Sequence, residues 1–171
     1  AMTATSSQEL IDKMIFVNPQ SLHELAKIPS KRSKLLYHFI NMPLLGTFLY
    51  NILFCRRRIA AKSEEAFFDP AQIDELMVNT YYESAHLDHM HSRYLFASIR
   101  GNYTNVNLAP FLSRITHSIF IITGAENPLF NENASQYQKY LPSIEIVSMG
   151  ETKAYPHIEK PEEFCEQVEI L

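Results

Sequence analysis

Ser118-Ile119-Phe120-Ile121-Ile122-Thr123-Gly124 is a continuous apolar run, rich in β-branched residues, that stops at a glycine. Such a run, without polar alternation, predicts a short strand covered on both faces, the pattern of a parallel sheet. Two further segments repeat it. Met14-Ile-Phe-Val17 ends at Asn18-Pro19, and Ile144-Glu-Ile-Val-Ser-Met149 is closed by Gly150. Between the second and third runs, Asn131 to Leu141 reads as a helix, with Asn131 or Asn133 as its N-cap. After the third, Pro161-Glu-Glu-Phe-Cys-Glu-Gln-Val-Glu-Ile170 puts proline at the first helical position and acids in the first turn. Strand, helix, strand, helix with short connections is α/β organisation.

Residues 19–117 separate the first two runs, a connection far beyond loop length, so they must carry their own structure. Their patterns are helical. Ser33 to Phe54 has a long apolar face interrupted at Met42-Pro43, where proline breaks or kinks a helix. Asp69-Pro70 reads as a helix start, followed by Ile73, Leu76, Met77, Thr80 and Tyr81 on one face. A further helix is expected over Ser92 to Arg100, ending at Gly101-Asn102.

The chain has 171 residues, 46% apolar and 20% charged, which suits one domain and excludes disorder, collagen and a disulfide-stapled miniprotein. Only four glycines are present and none precedes Gly46, so a Gly-rich phosphate loop is poorly supported. Residues 1–62 hold nine Lys/Arg against three Asp/Glu, whereas residues 63–171 hold six against sixteen. The basic residues fall in two short clusters, Lys27/Lys31/Arg32/Lys34 and Arg56/Arg57/Arg58/Lys62. Neither is interleaved with aromatics in a single-strand-binding pattern, so no nucleic-acid partner is expected. Cys55 and Cys165 match no metal or redox spacing and read as reduced thiols of a cytoplasmic protein. The longest apolar stretch, Pro43 to Phe54, falls short of the ~20 residues of a membrane span. The expectation is a soluble protein with no membrane partner and no cofactor.

A helical insertion followed by a strand, Gly124-Ala-Glu-Asn-Pro128, a helix, a strand and a final Pro-Glu-x-Phe helix resembles the C-terminal half of an α/β-hydrolase. The most specific piece is Tyr155-Pro-His-Ile-Glu-Lys-Pro-Glu-Glu-Phe164. It is similar to the Gly-His-x-Pro-His-x-Glu-x-Pro-Glu-x-Phe ending of many cap-bearing esterases. The resemblance implies a truncated, three-stranded parallel sheet with a large helical cap insertion. Residues 1–18 and 118–171 would form the partial core and residues 19–117 the cap. Met14–Pro19 would then be the family's sixth strand, Ser118–Gly124 the seventh and Ile144–Gly150 the eighth.

That family works through a serine on a strained elbow, a histidine base and an orienting acid. The elbow belongs upstream of the sixth strand, where this sequence has thirteen residues and no glycine; Ser6 and Ser7 read as helix-start or tail residues. The usual acid position, three residues past the glycine, is Asn127, with Glu126 a shifted substitute. The histidine position, two residues before the proline, is Ala154; His157 matches the second histidine of the ending, which is usually not the base. The segments that supply the oxyanion donors are not in these 171 residues. The chain alone is therefore expected not to hydrolyse anything.

Tyr81-Tyr-Glu-Ser-Ala-His-Leu-Asp-His-Met-His91 is the one cluster suggestive of metal, with His86 and His89 on one helical face and Glu83 a turn earlier. It lacks a distant ligand, and no metal is expected. By resemblance, cap helices line a substrate pocket, which makes Tyr81, Tyr82 and His86 candidate ligand contacts. The apolar helix Leu35–Phe54 with Arg56-Arg-Arg58 admits a membrane-surface reading; the favoured one puts the arginines at the helix C-terminus, where the dipole suits them. Met14–Val17 would be an unpaired apolar edge, which predicts a homodimer joined through that strand. Three functional readings follow. They are an inactive self-associating hydrolase remnant, the C-terminal half of a split or longer esterase needing an N-terminal half, and a ligand-binding module using the cap cavity.

Overall fold

A computed structural model of the chain describes residues 8–87 and 91–171; Ser6, Ser7 and His89 lie outside them. In chain order the elements are β1 (Lys13–Val17), α1 (Leu22–Leu25), α2 (Lys31–Asn41), α3 (Leu45–Leu53), α4 (Arg56–Ala66), α5 (Glu75–His86), α6 (His91–Arg100) and α7 (Ala109–Leu112). There follow β2 (Ser118–Gly124), α8 (Pro128–Tyr140), β3 (Glu145–Met149), α9 (Pro156–Glu159) and α10 (Pro161–Ile170). Contacts divide the chain into two units, one of residues 8–26, 66–69 and 107–171, the other of Lys27–Glu65 with Pro70–Val106.

The first unit is built on a parallel three-stranded sheet in the order β1-β2-β3. Lys13 lies opposite Ser118 and Val17 opposite Ile122, while Phe120 to Gly124 run beside Glu145 to Met149. The central strand is covered on both faces, since Ile121, Ile122 and Thr123 are wholly buried. That is why its sequence does not alternate. One face packs Met14, Ile119, Ile121 and Ile144 against Ala134 and Tyr137 of α8, with Leu22, Leu112 and Ile115. Removing a buried Leu or Ile side chain from such a core costs about 2–5 kcal/mol.

α8 is also clasped to the loop that leaves β1. Tyr137 Oη donates to the Gln20 carbonyl (2.9 Å), Asn133 Nδ2 to the Pro19 carbonyl (3.2 Å) and Ser21 Oγ to Gln136 Oε1 (2.9 Å). Burial pushes the Tyr137 hydroxyl up to about 12. The helix begins earlier than its asparagines suggest. Asn127 is the N-cap, accepting from the Leu129 amide, and Pro128 fills the first position, so Asn131 and Asn133 lie inside the helix.

In the second unit α2 packs along α3 and α6. The chain breaks at Met42, which is extended (ψ 131°) as a residue before proline tends to be. Arg93 of α6, only 1% exposed, ties the break to the start of α3: its Nη1 donates to Met42 O (3.0 Å), Pro43 O (3.2 Å) and Thr47 Oγ1 (2.6 Å), beside the Gly46 amide on Met42 O. Tyr50, Phe54 and Phe96 form an aromatic cluster beside them, with Tyr50 Oη donating to the Ala85 carbonyl.

Two helix ends differ from expectation. Asp69-Pro70 opens only a 3-10 turn, Pro70–Gln72; α5 starts at Glu75, where Asp74 accepts the Met77 amide at 2.7 Å. A capping carboxylate three residues before a free amide outcompetes the Asp-Pro start. Arg56-Arg57-Arg58 do not end an apolar helix. α3 stops at Leu53 and a new helix begins at Arg56, with the Cys55 carbonyl accepting from the Arg58 and Ile59 amides.

Gly124 ends β2 where the strand presses on the Lys153 backbone, and a Cβ there would meet the Lys153 carbonyl and Thr152 O. Gly124→Ala is expected to destabilise the fold by about 3 kcal/mol, the upper range for overpacking, read as a lowered urea midpoint at unchanged m-value.

Candidate functional site

Parallel strands bring their C-terminal ends to one side, where open α/β sheets place their sites. Here that side is organised by Asn18, the residue after β1. Its backbone is left-handed (φ 43°), a conformation that asparagine tolerates better than most side chains. Its N–H continues the ladder to Ile122 O (3.0 Å). Its side chain then reaches the end of β2 and the loop that follows β3. Oδ1 accepts from the Gly124 amide (3.0 Å), and Nδ2 donates to the carbonyls of Lys153 (2.9 Å) and Ala154 (2.8 Å).

The loops after β2 and β3 are joined by their own backbones. Ala125 N–H donates to Met149 O, and Glu126 N–H to Thr152 O. Asn131 Oδ1 accepts from Thr123 Oγ1 (2.8 Å), and Nδ2 donates to Ala125 O (3.1 Å). Glu151 takes a positive φ of 54° in the turn after β3, and the wholly buried Thr152 donates Oγ1 to Met149 O.

Glu159 completes the arrangement. It is 6% exposed, and its Oε1 accepts from the Lys153 (2.9 Å) and Tyr155 (3.0 Å) amides while Oε2 accepts from Phe68 (2.7 Å). Ala154 N–H donates to Ala66 O alongside. The carboxylate thus holds the post-β3 loop and the segment 66–69 together through three charge-assisted bonds.

Asn127, at the acid position, spends its oxygen on the Leu129 amide and carries no charge. Ala154, at the histidine position, contributes only backbone. Glu126 is exposed. His157 is exposed in the first turn of α9, its ring against Tyr155 (6.3 Å) and Phe164 (5.8 Å). No hydrogen bond joins Glu126 to His157. Neither Asn18 nor Glu159 stood out as a functional candidate in the sequence. The Pro-His-x-Glu pattern of residues 156–159 was the signal for Glu159, and Asn18 had only its strand-ending Asn-Pro.

In the second unit, Tyr82 and His86 stack on each other at 4.3 Å, and His86 Nδ1 donates to Tyr82 O (2.8 Å). Arg56 covers the Tyr82 ring at 4.2 Å. Tyr81 is half-buried on the same helix. Among the described residues no cluster of three or more His, Cys, Asp or Glu is assembled that could hold a metal. No described helix is long and apolar enough to cross a membrane.

No family model matches the chain, and no curated protein matches it in sequence. Solved structures do match its shape. A serine hydrolase involved in carbazole degradation superposes with a TM-score of 0.69 at 13% identity, over 99% of this chain and 57% of its own. A serine hydrolase from Cycloclasticus zankles gives 0.68 at 14%, over 99% and 58%. The chain has a partial α/β-hydrolase fold. A 2-hydroxy-6-oxo-6-phenylhexa-2,4-dienoate hydrolase from Rhodococcus agrees, with 0.62 at 15%, over 98% and 57%. The chain therefore spans less than two-thirds of these α/β-hydrolases, and at such identities the likeness is one of fold.

If Asn18 holds the strand ends together, two substitutions separate its bonds from its backbone. Asn18→Ala is expected to lose about 3 kcal/mol, from three side-chain bonds and a strained left-handed backbone. Asn18→Gly, which adopts that backbone freely, should recover about 1 kcal/mol of it in the same chemical denaturation series.

Proposed function

We propose that this chain supplies the cap and the last three strands of a serine-hydrolase fold whose acid and base positions no longer carry chemistry. The observation that carries the reading is the pair Asn127 and Ala154. The first is consumed as a helix cap and the second has no side chain able to exchange a proton. An imidazole and a carboxylate act as a unit only within hydrogen-bond reach; Glu126 is exposed and the His157 ring lies against Tyr155 and Phe164. The unit of Lys27–Glu65 and Pro70–Val106 serves as the cap insertion in this reading. Cys55 and Cys165 as free thiols fit a cytoplasmic setting.

The same reading makes β1 an association surface. Asn18 N–H bonds to β2, so by strand alternation the amides of Ile15 and Val17 face away from it, along the edge. Those groups and the half-buried Ile15, Phe16 and Val17 invite another strand. We place a second copy there, its β1 antiparallel to the first, which makes a six-stranded sheet about a two-fold axis. The coverage of 57% to 58% in hydrolase structures favours a second occupant, the strand-bearing remainder of a hydrolase.

Three measurements decide these points. Purified chain assayed with p-nitrophenyl acetate should show no rate above buffer, and His157→Ala and Glu126→Gln should leave that unchanged. A rate that His157→Ala abolishes would overturn the silent reading. Sedimentation equilibrium should report a dimer, and Ile15→Pro, which removes an edge-facing amide, should shift it to monomer while retaining the circular-dichroism spectrum. A wild-type monomer at micromolar concentration, or a dimer that survives the proline, removes the β1 interface. An esterase rate that appears only on mixing with a chain bearing the other hydrolase strands selects the second occupant.

A further inference from the structure

A groove of about 590 Å3 runs along α3 and the first turns of α4, within the range of sites that take small ligands. Its apolar lining is Phe48, Ile52 and Ala61, with Cys55 at the junction of the two helices. Phe48 is 67% exposed, unusually wet for a phenylalanine at the middle of a helix. The polar end of the groove is formed by Arg57 and Arg58.

Those two arginines are placed against the ordinary preference. They lie in the first turn of an eleven-residue helix that has no acid there, so the positive end of the dipole repels rather than attracts them. Arg56 is already engaged, donating Nε to Asn79 Oδ1 (2.8 Å) and covering Tyr82. Arg57 and Arg58 are exposed, and among the described residues their side chains have no hydrogen bond or ion pair. The groove therefore presents an apolar floor and two uncommitted guanidinium forks, each matched to a carboxylate.

We propose that this groove binds an anionic amphiphile, a free medium-chain carboxylate. Its hydrocarbon lies on Phe48, Ile52 and Ala61, and its headgroup bridges Arg57 and Arg58. Charge complementarity selects the anion, and the apolar lining selects the chain over a bare phosphate or a nucleic acid. The site is independent of the hydrolase chemistry and of the β1 edge.

Titration calorimetry of the whole chain with decanoate tests it, beside acetate, decan-1-ol and decyltrimethylammonium. Decanoate should bind saturably, acetate should not, and the alcohol and the cation should bind at least about tenfold more weakly, a difference of about 1.4 kcal/mol. The double variant Arg57→Gln/Arg58→Gln should weaken decanoate by about tenfold or more and leave decan-1-ol within about twofold. Ala61→Trp, which fills the groove without changing charge, should weaken both. Equal decanoate binding by the double variant, or cation binding as tight as anion, overturns the proposal. Co-sedimentation with phosphatidylglycerol vesicles, without binding of monomeric decanoate, assigns the patch to a membrane surface and overturns it too.

Discussion

A parallel sheet leaves the loops at its C-terminal edge with backbone groups that no ladder satisfies, and here one side chain meets them. Asn18 bonds to all that follows the three strands: it receives the Gly124 amide, and it gives its two N–H groups to Lys153 and Ala154. Only a short amide in a left-handed backbone reaches in both directions, accepting on one side and donating on the other. Glu159 extends the same logic outward to residues 66–69. The close approach at Gly124 and the backbone bond from Glu126 to Thr152 both depend on the loops being held at this spacing.

The consequence is chemical as well as structural. In a serine hydrolase an acid and a base must face each other across these two loops. Here backbone amides and carbonyls join the two loops, and the buried carboxylate of Glu159 accepts from three N–H donors. In this chain Asn127 caps α8 and Ala154 contributes only backbone to these loops.

Much of the fold was legible because burial on both faces writes an unmistakable pattern. Ile119 to Ile122 is apolar without alternation since both faces of β2 are buried, and the two flanking runs repeat the signal. Pro43 and Pro161 announced a break and a start by their missing amide and fixed φ. Helix starts were less legible where several caps compete within a few residues: Asn127 prevails over Asn131 and Asn133, and Asp74 over Asp69. The three arginines after Phe54 were harder still, because an apolar run followed by positive charge describes the end of one helix as well as the start of the next.

Sequence by itself determined the strands, their parallel arrangement, the helical content of the insertion and the absence of charge and imidazole at Asn127 and Ala154. These follow from residue type and short-range periodicity, which a linear reading contains. Only the tertiary structure decided that Asn18 and Glu159 hold the loops, that Tyr82 and His86 are stacked on each other, and that Arg57 and Arg58 flank an apolar groove. Each of these is a relation set by where the chain returns in space: Asn18 meets Ala154 across 136 positions, and Glu159 meets Phe68 across 91. No local propensity encodes which distant backbone a polar side chain will satisfy.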